Sequence, residues 1–154
     1  MAKQVGDTAP DATVFVRPRE PVQLRAYQDQ PLVLLFFPLA FSGVCTKEVC
    51  TVAEDYSAWE NLGARVVGIS VDSPYVNQKF MEACNAKFPI VSDFNREATI
   101  AYDVVRPDLG GLKDVSERAA FVIGRDGVIK YAWVGEHPGV FPPLEEIKEA
   151  VKRA

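Results

Sequence analysis

Three cysteines are the residues of this 154-residue chain whose type could carry reactive chemistry: Cys45, Cys50 and Cys84. The first two lie in Pro38-Leu-Ala-Phe-Ser-Gly-Val-Cys45-Thr-Lys-Glu-Val-Cys50, directly after six apolar residues, Leu32 to Phe37. A thiol reacts through its thiolate. The free backbone N–H groups and partial positive charge of a helix N-terminus stabilise that anion. The spacing puts Cys45 at such a terminus. Ser42 and Gly43 supply turn and capping chemistry, and Val49, Val52, Ala53 and Tyr56 continue from Cys45 at helical intervals. On position alone, Cys45 reads equally as a small buried residue that starts a helix.

The neighbours of Cys45 offer what a reactive cysteine needs. The Ser42 hydroxyl is placed to reach the first helical turn or the sulfur. The amides of Val44 and Cys45 are placed to donate to an oxygen bound beside it. Pro38 ends the preceding strand, because it cannot donate to a ladder, and presents a water-poor wall. Taken singly, Ser42 reads as an N-cap and Pro38 as a strand terminator. An uninterrupted helix turns Cys50 about 140° away from Cys45 and leaves the two α-carbons beyond the roughly 7 Å limit for a disulfide. A Cys45–Cys50 bond therefore requires the first helical turns to unwind.

The elements that position these residues follow from periodicity. Leu32 to Phe37 reads as a strand buried on both faces, the pattern of a parallel sheet. The Cys45 helix is expected to run to about Asn61, with Gly63 as its stop. Ala64 to Val71 is a second β-branched strand. Ser73-Pro74 then caps a helix that continues to about Cys84. That helix starts at the sheet edge bearing Cys45 and runs away from it, so its end lies on the order of 15 Å from that edge. With Phe80 on the same stripe, Cys84 reads as a packing residue. Phe88 to Val91 is a short strand and Glu97 to Tyr102 a short helix. Val105 to Glu117, with Pro107, Gly110 and Gly111, reads as an exposed loop. Arg118 to Ile123 and Val128 to Val134 form a hairpin about Gly124-Arg-Asp-Gly127, and Gly135 to Pro142 forms a second loop. Pro143 to Arg153 closes the chain as an amphipathic helix. Asp11 to Val16 and Val22 to Leu24 make a small N-terminal hairpin. This order predicts one α/β domain over residues 1–154, a mixed central sheet with helices on both faces. The functional edge is the C-terminal end of its parallel strands, where Cys45 sits.

Composition bounds the function. The net charge is −4 with no run of Lys or Arg, which argues against nucleic acid or an anionic membrane as partner. No stretch approaches the length of a membrane-spanning helix, and the N-terminus is too polar for a secretory signal. Three cysteines make a poor disulfide framework, which points to the reducing cytoplasm.

The combination Pro38-x3-Ser42-x2-Cys45 after an apolar strand resembles the active-site signature of the peroxiredoxins. The resemblance extends to the opening Val5-Gly-Asp-Thr-Ala-Pro-Asp11, the Gly68-Ile-Ser-Val-Asp-Ser-Pro74 crossover and Arg118-Ala-Ala-Phe-Val-Ile123. It is nearest to the AhpE-like and bacterioferritin-comigratory group, whose members share Cys-Thr-x-Glu at this helix. The resemblance implies a thioredoxin-like sandwich and a thiol-dependent peroxidase without cofactor or metal, acting on hydrogen peroxide and organic hydroperoxides. It implies that Cys45 is the peroxidatic cysteine, that Pro38 and Ser42 shape its pocket, and that Arg118 contacts the thiolate. Ser at position 42 is a permitted variant of the signature. Glu48 matches a glutamate that orients the arginine, or is an acid favoured in a first helical turn. Cys50 stands at the spacing of the group's resolving cysteine; the alternative is a boundary cysteine, with an external thiol resolving. Some peroxiredoxins resolve from the helix bearing Cys84, so that role stays open. The implied partners are a hydroperoxide and a thiol reductant such as thioredoxin, a glutaredoxin-like protein or a low-molecular-weight thiol. The family often forms dimers, and Leu39, Phe41 and Trp133 suit an interface or a core equally.

Rival readings fit less well. A thiol–disulfide oxidoreductase carries Cys-x-x-Cys, and Cys45-x4-Cys50 is too long. A cysteine hydrolase needs a histidine base, and no spacing brings His137 to Cys45. A zinc site lacks a second ligand pair. The non-enzymatic alternative is a redox-sensing or chaperone-like binding module on a thioredoxin fold.

Overall fold

The computed structural model describes residues 2–154. The chain opens with an antiparallel pair, β1 (Thr13–Arg17) and β2 (Glu20–Gln23), where the N-terminal hairpin is expected. The central β3 (Leu32–Phe36) leads into α1 (Gly43–Glu54), α2 (Tyr56–Asn61) and β4 (Arg65–Ser70). There follow α3 (Pro74–Ala83), β5 (Ile90–Ser92), α4 (Glu97–Ala101), β6 (Val105–Leu109) and β7 (Leu112–Ser116). The hairpin β8 (Ala119–Ile123) and β9 (Ile129–Val134) precedes the C-terminal α5 (Leu144–Arg153).

Seven strands form one mixed sheet in the order β2-β1-β5-β4-β3-β8-β9. β3 lies parallel to β4 and antiparallel to β8, with Phe36 beside Ile69 and Ala119. The uninterrupted apolar run has a simple cause: both faces of β3 are covered. Val33, Leu35 and Phe37 pack with Cys45, Val49, Val52, Trp59, Phe80 and Ile147 on one face. Leu32, Leu34 and Phe36 pack with Val14, Leu24, Ala98 and Tyr102 on the other. Successive strands β3, β4 and β5 step in one direction across the sheet, so right-handed crossovers place α1 and α3 on the same face.

Two expectations are corrected. The Cys45 helix does not run unbroken to Asn61. It ends at Glu54, and Asp55, with φ −105° and ψ 19°, separates it from α2. Beyond the break Trp59 is buried in the core. The segment 105–117 is not a loop but an antiparallel hairpin, β6–β7, outside the main sheet. Gly110 and Gly111, at φ 58° and 94°, form its turn; both values are costly for residues with a Cβ. The Ser116 hydroxyl donates to the Phe37 carbonyl at 3.0 Å and ties this hairpin to the end of β3.

Candidate active site

α1 begins where β3 runs out at the sheet edge. Phe37 N–H still donates to the Ile69 carbonyl, and Pro38 then ends the ladder. Residues 39–42 turn tightly, with Phe41 at φ 67°. Ser42 occupies the N-cap with extended backbone angles, and its carbonyl accepts from Thr46 N–H at 2.8 Å. Cys45 is thus the third residue of α1, and the amides before Thr46 have no partner inside the helix. From the other side, Asp72 steadies the turn by accepting from the Ala40 N–H at 2.7 Å. Asp72 also accepts from the Ser70 hydroxyl, and Ser70 in turn accepts from the buried Asn77 side chain in the first turn of α3.

Arg118, just before β8, reaches the sulfur. Because β8 pairs with β3 in antiparallel register, the start of β8 stands beside the end of β3. The guanidinium is buried and uses three nitrogens. Nη2 donates to Cys45 Sγ at 3.1 Å, Nη1 donates to Glu48 Oε1 at 2.6 Å, and Nε donates to the Pro138 carbonyl at 2.8 Å. A planar fork with fixed donors suits this three-way clamp, and a lysine ammonium does not. Burial works against the Arg118 charge, but Glu48 and Cys45 beside it more than offset this and hold its pKa raised.

Glu48 is no first-turn acid. It lies in the second turn of α1, wholly buried, and one carboxylate oxygen, Oε2, has no hydrogen-bond partner among the described residues. Burial pushes its pKa up to about 7, against the pull of Arg118. The native state therefore holds a proton on Glu48 more tightly than the unfolded chain does. The resulting contribution to stability is whole below about pH 4.5 and lost as pH rises through about 7. Urea denaturation is expected to show unfolding free energy falling by on the order of 1–2 kcal/mol between about pH 5.5 and about pH 8. Glu48→Gln is expected to flatten that slope. Asp72 and Asp93 are also raised by burial and contribute in the same sense.

Above Cys45 lies a cleft of about 330 Å³ lined by Pro38, Ser42, Val44, Leu109, Arg118 and Pro138, among others. The structure thus brings Pro38, Ser42, Val44, Cys45, Glu48 and Arg118 together. One detail differs. The Ser42 hydroxyl reaches neither the first helical turn nor the sulfur; it donates to the Leu39 carbonyl at 2.7 Å. The tight 39–42 turn presents that carbonyl first. Leu109 and Pro138 come from the two segments read as loops and went unnoticed in the sequence; a Gly-Gly turn between β-prone segments was the available signal for the first. His137 stays outside the cleft and accepts from the Gly139 N–H. Of the residues suited to an interface or a core, Leu39 lines the cleft, Trp133 packs partly buried on the core, and Phe41 is exposed against Phe80, ring centroids 5.0 Å apart.

Cys50 departs most from the sequence expectation. It forms a disulfide with Cys84, at a Cα–Cα distance of 4.8 Å, while α1 is intact and Cys45 remains a free thiol. Cys84 is therefore not merely a packing residue. It caps the C-terminal end of α3 and meets Cys50 about one and a half turns along α1 from Cys45.

The arrangement can hold a thiolate against a cation and offer further donors to an oxygen in the cleft. Comparisons with known proteins agree with that chemistry. The AhpC/TSA family profile matches residues 5–132. Alkyl hydroperoxide reductase E of Mycobacterium tuberculosis is 34% identical over 131 residues, covering 83% of each chain. Peroxidoxin BcpB of Mycobacterium tuberculosis superposes with a TM-score of 0.85 at 27% identity, over 97% of both chains. A peroxiredoxin-like protein of Aquifex aeolicus gives a TM-score of 0.89 at 25% identity, over 99% of this chain and 88% of that one. The fold is thioredoxin-like, as in these peroxiredoxin structures. Sequence, fold and relatives converge: the chain belongs to the AhpC/TSA family of peroxiredoxins and is a thiol-dependent peroxidase.

Proposed function

We propose that Cys45 is the peroxidatic cysteine and that the clamp of Arg118 is what fits it for peroxide. The observation that carries this reading is the 3.1 Å contact between Arg118 Nη2 and Cys45 Sγ, at the floor of a cleft whose walls include Pro38, Leu109 and Pro138. The Cys45 thiolate attacks the terminal oxygen of a hydroperoxide. A sulfur–oxygen bond forms as the O–O bond breaks, and the departing alkoxide or hydroxide takes up a proton. The products are Cys45 sulfenic acid and an alcohol or water. Arg118 faces both the sulfur and the incoming oxygens, so its charge opposes the negative charge developing along the S–O–O axis. Pro38 and Ser42 shape the wall, Val44 contributes an apolar face, and Glu48 orients the arginine.

The cleft is mostly apolar around one cation, which suits hydrogen peroxide and small organic hydroperoxides. Regeneration requires a thiol reductant, of which thioredoxin, a glutaredoxin-like protein and a low-molecular-weight thiol are the candidates. Such a cycle belongs in a reducing compartment, the cytoplasm. Cys50 is the resolving thiol in this reading, once released from Cys84 and brought to Cys45 by unwinding the first turns of α1.

A variant keeping Cys45 as its one cysteine, Cys50→Ser with Cys84→Ser, tests the assignment. Mixed with one equivalent of hydrogen peroxide and dimedone, it is expected to carry the adduct on Cys45 within seconds. Absence of the adduct, with peroxide left unconsumed, overturns the peroxidatic role.

A further inference from the structure

We infer that Cys84 is the terminal electron donor of an internal thiol relay, in which the disulfide formed at Cys45 is passed on to Cys50–Cys84. The inference rests on the peroxidatic reading of Cys45 and adds a residue that this reading does not need.

Two disulfides of the same chain differ in what they ask of the fold. Cys45 and Cys50 are five residues apart in one helix, a separation too long for a disulfide while the helix stands. Joining them unwinds the start of α1 and takes the sulfur of Cys45 away from Arg118. Cys50 and Cys84 join across two helices that already lie side by side, with α1 regular from Gly43 to Glu54 and the Arg118 contact to Cys45 in place. The second disulfide is compatible with the folded site and the first is not. Refolding of α1 therefore drives oxidation from the first pair to the second.

The steps balance. Cys50 thiolate attacks the sulfur of Cys45 sulfenic acid. The S–S bond forms, and hydroxide leaves and is protonated to water. Cys84 thiolate then attacks Cys50 Sγ. The Cys45–Cys50 bond breaks as Cys50–Cys84 forms, and Cys45 departs as thiolate. Arg118 is ready to receive that anion, and a stabilised thiolate leaves faster. The net change is one peroxide reduced and two thiols, Cys50 and Cys84, oxidised, with Cys45 again reduced and seated. The relay makes the oxidised chain competent for a further peroxide before any external reductant arrives.

The test uses the full chain, reduced and freed of reductant. After one equivalent of hydrogen peroxide and quenching with iodoacetamide, non-reducing peptide mapping is expected to find Cys50 linked to Cys84 and Cys45 alkylated. A second equivalent with dimedone is expected to label Cys45, so that each chain consumes about two equivalents of peroxide. Cys84→Ser is expected to stop at a Cys45–Cys50 disulfide after about one equivalent. Cys45→Ser is expected to form Cys50–Cys84 at least about a hundred-fold more slowly, because an unactivated thiol must then meet the peroxide. The relay is overturned if the wild-type chain rests with Cys45 in a disulfide, or if Cys45→Ser forms Cys50–Cys84 at the wild-type rate. It is overturned equally if Cys84→Ser retains Cys45 sulfenic acid. Each of these results leaves the dimedone labelling of the one-cysteine variant untouched, so failure of the relay is separable from failure of the peroxidatic assignment.

Discussion

Arg118→Met is expected to lower kcat/KM for hydrogen peroxide by about 10²–10³-fold, the loss typical of a preorganised donor aimed at developing charge. Methionine keeps much of the bulk and removes the N–H groups that meet Cys45, Glu48 and Pro138. Stopped-flow consumption of peroxide, at a pH where circular dichroism confirms the fold, gives the number. Arg118→Lys is expected to restore little. An ammonium restores a charge but cannot span the sulfur, the Glu48 carboxylate and the Pro138 carbonyl in one plane. A loss below tenfold in Arg118→Met would mean that the amides at the start of α1 carry the catalysis without the arginine.

Above about pH 8, where Glu48 is ionised, Glu48→Ala is expected to cost about 3–5 kcal/mol of stability by urea denaturation, because it leaves the buried Arg118 cation without its carboxylate. The double variant Glu48→Ala with Arg118→Met is expected to be more stable than Glu48→Ala alone. Removing both charges removes the desolvation cost that the pair offsets only in part, since Oε2 of Glu48 has no partner among the described residues. The thermodynamic cycle separates the coupling of the two residues from the packing each provides. Strict additivity in that cycle would deny the ion pair any structural role.

Much of this was legible in the sequence because it is local. The six-residue apolar run announces β3, Pro38 its end, and Ser73-Pro74 the start of α3, where the Ser73 hydroxyl accepts from Val76 N–H. Cys45 at the head of α1 follows from the same grammar. Arg118 was legible only through the family signature, since nothing in its own neighbourhood marks a strand-start arginine as a partner of a distant sulfur. Residues 105–117 misled because their charges and Pro107 resemble loop composition, although an isolated two-stranded unit facing solvent has few apolar positions to show. Ser42 misled for a subtler reason: a capping residue type sits at the cap, but its hydroxyl has a nearer acceptor in Leu39. The Cys50–Cys84 pairing depends on the lateral distance between two helices on one face. Chain order fixes the face, but the distance is set by side-chain packing that no local pattern encodes.

The contact between Cys45 and Arg118 joins residues 73 positions apart in the chain. During synthesis the thiol emerges long before the arginine that clamps it, and a contact of such high order closes only late in folding. A nascent or half-folded chain therefore carries an ordinary cysteine, and the clamped one arises when β8 docks against β3. On the peroxidatic role proposed for Cys45, rapid reaction with peroxide would in that sense certify completed folding.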